Sequence, residues 1–180
     1  MGGQEKFIGR LDSLFIAESK IEGPLVSSDI SGLIGQYAHG NEPSHHIVHL
    51  YNYVNQSWKT QQLIDTILHT QYFNNPNGLS GNEDCGQMSA WYVLNAMGFY
   101  QVCPGSPIYS VGRPIFDKVT INLPNGKVFE IIANNNSRTN KYIQSIRLDN
   151  ILLESPFFMH SDIMKGGKIV MEMGNTPVKQ

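Results

Sequence analysis

Apolar residues recur at three- and four-residue spacing through roughly the first hundred positions and in short β-rich runs after that, so the chain divides into a helical part and a strand-rich part. Phe7, Leu11, Leu14 and Phe15 predict a first helix, and Ile47, Leu50, Tyr51 and Val54 predict a second behind a Pro43-Ser44 start. Leu63, Ile64, Ile67 and Leu68 predict a third, ending before Asn74-Asn75-Pro76-Asn77-Gly78. A fourth is expected over Met88, Trp91, Tyr92 and Asn95 as far as Gly98. The period changes near Pro104-Gly105-Ser106-Pro107, which places a boundary between residues 1–104 and 105–180. Beyond it, strands are expected at 108–111, 118–123, 128–133, 142–148 and 168–172, with Pro124-Asn125-Gly126 as a hairpin turn. The fold class is α+β, with helices first and a small antiparallel β region last.

Composition narrows the partners more than the fold. With 180 residues, 41% of them hydrophobic, the chain can bury a sizeable core. A formal net charge of −2 and the absence of a long basic run leave no electrostatic footprint for nucleic acid or an anionic membrane, so neutral ligands fit better. No apolar run reaches the roughly 18 residues of a membrane span. Cys85 and Cys103 define neither a disulfide framework nor a zinc site.

Two polar clusters carry candidate chemistry. In Gly81-Asn82-Glu83-Asp84-Cys85-Gly86, two adjacent carboxylates sit between glycines directly ahead of an apolar helix, an arrangement suited to a loop that meets a ligand closely. Capping of the following helix by Asp84 is the structural alternative. The second cluster, His39-Gly40-Asn41-Glu42-Pro43-Ser44-His45-His46, offers hard oxygens and imidazoles on another loop before a helix. Metal or sugar contact competes there with buried, satisfied histidines. Trp58-Lys59-Thr60-Gln61 opens a helix with a flat ring beside amine and amide donors suited to sugar hydroxyls. In a helical barrel, loops of this kind gather at one rim, where carboxylates from different loops face a common pocket. That geometry suits inverting glycoside hydrolysis, which needs an acid for the leaving oxygen and a base for water roughly 6.5–9.5 Å away.

Taken together, residues 39–46, Trp58-Lys59-Thr60-Gln61 and residues 81–91 closely resemble glycoside hydrolase family 92, the calcium-dependent exo-acting α-mannosidases. The similarity continues through Met97-Gly98-Phe99-Tyr100, residues 109–116 and the strand-rich tail, so it covers nearly the whole chain. It implies an inverting hydrolase that removes terminal mannose from α-mannosides, with an (α/α)6 barrel beside a β-sandwich domain and calcium helping to distort the sugar. On that resemblance residues 1–104 belong to the barrel. Asp84 matches the general base, with Glu83 or Asn82 orienting it; an aspartate stands at the Asn82 position in some members. His39, His45, Asn82, Trp58 and Lys59 are candidates for substrate contact. Asn41 and Glu42 are candidates for calcium or for mannose hydroxyls, on hard-ligand chemistry and loop position.

One departure is large. Members of the family are several times longer, and the glutamate expected as general acid sits in a Thr-Glu-Gly-Asn-like motif that does not occur in these residues. The expectation is a C-terminal piece of the enzyme with little activity alone, since acid assistance contributes roughly 10²–10⁴-fold. Exposed apolar helix faces in such a piece favour self-association. Similar enzymes are exported by glycan-degrading bacteria, which implies periplasm or cell surface for the longer protein. Two alternatives stay open: a noncatalytic carbohydrate-binding or interaction module, and an inverting hydrolase complete in this chain, with Glu42 as acid and Asp84 as base.

Overall fold

A computed structural model describes residues 2–23, 27 and 30–179. It opens with α1 (Gln4–Ile16), followed by a short hairpin of β1 (Leu33–Ile34) and β2 (Tyr37–Ala38). Two 3-10 helices, Glu42–Ser44 and Ile47–Val54, lead into α2 (Ser57–Thr70) and α3 (Gln87–Met97). The expected second helix is thus a 3-10 helix. Burial explains this: Val48, Tyr51 and Val54 form one buried row and His49 and Asn52 another, both at three-residue spacing, which is the period of a 3-10 helix.

The strands that follow are β3 (Phe99–Tyr100), β4 (Ile108–Val111), β5 (Lys118–Asn122), β6 (Val128–Asn134), β7 (Tyr142–Leu148), β8 (Ile151–Leu152), β9 (Phe157–Met159) and β10 (Gly167–Gly174), with α4 (His160–Lys165) before the last. One sheet has the order β5-β6-β10-β7-β8 and the other β3-β4-β9. All pairings are antiparallel except that of β10 with β6, which is parallel. Turn chemistry foretells β5-β6, whose ends are joined by Pro124-Asn125-Gly126, but β10 enters from 33 positions further along, as the register Gly167↔Phe129 to Glu172↔Asn134 begins only after α4. Pairing of Phe99 with Val111 also runs a sheet across residues 104–107.

Two cores result. Phe129, Ile131, Ile169 and Met171 centre the sheet core, where β10 buries every second residue as a pleat requires. Tyr37, Val48, Ile64, Ile67, Leu68 and Trp91 centre the helical core. The seam between them is polar. Gln61 Oε1 accepts from the Ile143 amide at 3.0 Å, and the Asn52 amide donates to Ser110 Oγ and to the Val111 carbonyl, each at 2.7 Å. Among the described residues no helix is long and apolar enough to cross a membrane.

Candidate active site

The two motif loops meet backbone to backbone. A Cβ at Gly81, whose φ is +89°, would stand 2.7 Å from the Gly40 carbonyl oxygen, and a Cβ at Gly40 would stand 2.7 Å from that of Ser80. Any side chain at either position would push the loops apart, so the glycines are what bring residues 39–46 and 81–87 to one place. Beyond Gly81 the chain turns through three consecutive left-handed residues, Asp84 (φ 52°), Cys85 (φ 55°) and Gly86 (φ 97°), before α3 begins. For a residue with a Cβ this region costs roughly 1–2 kcal/mol, and strain of this kind is concentrated at functional sites.

Hydrogen bonds to α3 hold the turn. The Asp84 and Glu83 carbonyls accept from the Gln87 and Met88 amides at 3.1 and 3.2 Å, and Glu83 Oε1 accepts from the Ser89 amide at 3.2 Å. Glu83 therefore caps the free amides of the first helical turn, and it is half-buried. Asp84 and Asn82 are exposed at the rim.

His45 lies beneath them. Its Nε2–H donates to the His39 carbonyl at 3.0 Å, which leaves Nδ1 as the acceptor for the Gln87 amide, also at 3.0 Å. The same amide nitrogen donates to the Tyr100 hydroxyl at 3.1 Å, and Trp91 Nε1–H donates to the His45 carbonyl at 3.1 Å. Burial lowers the pKa of His45, against the opposing pull of its hydrogen bond to His39 and of the Asp84 charge. Glu42, His45, His46, Gln87, Tyr100 and Gln101 line a depression of about 310 Å³ over this cluster. Gln87 is the one residue of 81–87 on that lining; Asn82, Glu83 and Asp84 are not on it.

His39 is wholly buried, and its ring is committed to the interior. The Tyr72 hydroxyl donates to the Met88 carbonyl at 3.1 Å, so it accepts from His39 Nε2–H at 2.7 Å, and His39 Nδ1 accepts from Tyr37 at 3.0 Å. Burial pushes its pKa down to about 3. His49 repeats the pattern: Nε2–H donates to Asn95 Oδ1 at 3.0 Å, Nδ1 accepts from Ser110 at 3.1 Å, and burial lowers its pKa to about 4. Both rings serve as neutral connectors that tie the loops to the core.

Trp58 and Lys59 stand elsewhere. Lys59 Nζ contacts both Asp12 carboxylate oxygens at 2.7 Å, Tyr51 donates to Asp12 at 2.8 Å, and Trp58 Nε1–H donates to Gln56 at 3.1 Å. Asp12, Tyr51, Trp58 and Lys59 line a depression of about 330 Å³ with Phe15 and Gln62 that shares no lining residue with the first. Asn41 and the exposed Glu42 bring at most three side-chain oxygens between them, against the six to eight that calcium takes. Among the described residues no three His, Cys, Asp or Glu side chains converge to hold a metal. Gln87 and Tyr100 join the cluster without a sequence pattern that singles them out. Gln87 lies inside the motif, but its contact with His45 spans 42 positions.

Proteins similar to this chain match it over nearly its whole length. An α-mannosidase from Bacteroides thetaiotaomicron, solved in complex with mannoimidazole, is 43% identical and superimposes with a TM-score of 0.92, over 98% of this chain and 23% of that one. An inverting mannosidase from Bacteroides thetaiotaomicron VPI-5482 is 39% identical with a TM-score of 0.83, over 98% of this chain and 25% of that one. An uncharacterized secreted glycosidase of Arthroderma benhamiae is 27% identical over 177 residues, 97% of this chain and 21% of that protein. The chain thus spans between a fifth and a quarter of the length of these relatives. The model of the glycosyl hydrolase family 92 catalytic domain matches residues 1–175. The chain belongs to glycosyl hydrolase family 92.

Proposed function

We propose that these residues form the C-terminal part of an inverting, exo-acting α-mannosidase that releases terminal mannose from α-mannosides of glycans. The observation that carries the reading is the exposed Asp84, held in left-handed backbone on a loop locked against residues 39–46, in a chain 43% identical to an α-mannosidase and 39% identical to an inverting mannosidase. In this mechanism Asp84 takes a proton from water as the water oxygen bonds to the anomeric carbon. The bond from that carbon to the leaving oxygen breaks on the opposite face, and a general acid protonates the departing oxygen. That acid comes from outside these 180 residues, because the chain lacks a Thr-Glu-Gly-Asn-like motif. Glu83 and Asn82 set the direction of Asp84, and Asn41 and Glu42 would offer oxygens to a calcium ion, with the longer protein supplying the others. The longer protein works in the periplasm or at the cell surface, in keeping with a secreted relative.

The test is hydrolysis of an aryl α-mannoside with added calcium, comparing the 180-residue chain with a version extended upstream through a glutamate-containing motif. Turnover only in the extended protein, reduced at least about 10²-fold by Asp84→Asn with Tm unchanged, is the expected result. Mannoside binding without turnover in the extended protein would overturn the hydrolase reading in favour of a carbohydrate-binding module. Turnover by the 180-residue chain itself would place the acid inside it.

A further inference from the structure

We propose that the loop at residues 135–141, facing the C-terminal half of α2, binds a small oxyanion of the phosphate class. The charge count carries the argument. Asp65 on α2, 6% exposed, lies 3.1 Å from Arg113 Nε, 3.7 Å from Arg138 Nη1 and 3.5 Å from Lys141 Nζ. One carboxylate thus faces three permanently charged cations. Only Arg113 is fixed by hydrogen bonds, donating to the Pro114 and Ser137 carbonyls at 2.8 and 2.9 Å, and it is 2% exposed. Arg138 and Lys141 stand too far from Asp65 for a hydrogen bond. Among the described residues neither side chain has another ionic or hydrogen-bonding partner, although Lys141 Nζ rests 5.7 Å from the centre of the Tyr142 ring.

A second observation points the same way. Among the described residues, the loop's Asn136 Oδ1 is a buried acceptor with no hydrogen-bond partner, whereas the buried Asp65 Oδ1 and Arg113 Nε face each other at 3.1 Å as an ion pair. Buried polar groups are rarely left so, and a bound ion or water is the ordinary remedy. An oxyanion supplies acceptors for the Arg138 and Lys141 donors, and a protonated phosphate oxygen supplies a donor for Asn136 Oδ1. Because α2 belongs to the helical core and the loop joins β6 to β7, the anion would tie the two parts of the molecule together.

The proposal does not depend on the mannosidase reading. It is tested by thermal unfolding of the 180-residue chain in inorganic phosphate against sodium chloride at equal ionic strength, alongside the Arg138→Ala/Lys141→Ala variant. Those two cations are at the rim, and no catalytic role is placed on them. A saturable Tm rise of about 3–5 °C at tenfold excess over the dissociation constant, absent from the variant, is expected. An equal rise in the variant would reduce the effect to general salt exclusion from the surface, and no rise beyond sodium chloride would leave no site. Either result overturns the proposal.

Discussion

Among the described residues, every buried polar or charged side chain lies between His39 and Arg113, whereas the sheet from β5 onward is filled by Phe129, Ile131, Ile143, Ile169 and Met171. The sheet core is apolar. The helical part instead uses neutral histidines, an asparagine and a buried ion pair as struts, and each strut has one arrangement of donors and acceptors that works. The candidate site rests on those struts: His39 and His45 reach from the loop at 39–46 to Tyr72, Gln87 and the start of α3. Such construction is costly in desolvation but fixes loop positions in a way that apolar packing does not.

Asp65→Ala tests the contrast most severely. It strands Arg113, 2% exposed, without its carboxylate, and loss of about 3–5 kcal/mol is expected in urea unfolding. A loss below 1 kcal/mol would show that the seam does not rely on the ion pair. Acid sharpens the comparison next. His39 and His49 titrate at about 3 and about 4 when folded because burial disfavours the imidazolium, but near 6.5 when unfolded. Folded pKa values below the unfolded ones mean stability is full above pH 6.5 and falls as pH drops toward 4, at about 1.4 kcal/mol per pH unit for each proton taken up on unfolding. Urea unfolding between pH 7 and 4.5 reads this above the main carboxylate range, and a flat profile there would refute the neutral-strut picture.

Two conservative deletions give the smaller effects. Tyr72→Phe keeps the ring but removes the hydroxyl that joins His39 Nε2 to the Met88 carbonyl, and about 1–3 kcal/mol should be lost. Ile131→Val, in the centre of β6 and 1% exposed, should cost only about 0.5–1.5 kcal/mol. If the sheet variant proved the more damaging of the two, the division between polar and apolar construction would fail.

Much of this architecture is visible in the chain before folding. Helical spacing locates α1, α2 and α3, and the β-rich runs coincide with β4 and β7 residue for residue. Shorter elements escape such reading: β9 and α4 hold three and six residues, too few to show a period. The motif around Asp84 was legible as a loop of chemistry because glycines and paired carboxylates are unusual ahead of an apolar helix. Its left-handed backbone and the capping by Glu83 were not, since capping by Asp84 was the alternative the residues offered.

Periodicity and turn chemistry act over a few residues, so the amino-acid pattern alone settles the longer helices and strands, where β5 turns into β6, and which loop carries Asp84. Folding settles the rest, because the partners are distant in sequence: 33 positions for His39 and Tyr72, 42 for His45 and Gln87, 82 for Gln61 and Ile143. Only burial against those partners decides which ring nitrogen carries a proton, that β10 runs parallel to β6, and that Trp58 and Lys59 face a depression apart from the one beside His45.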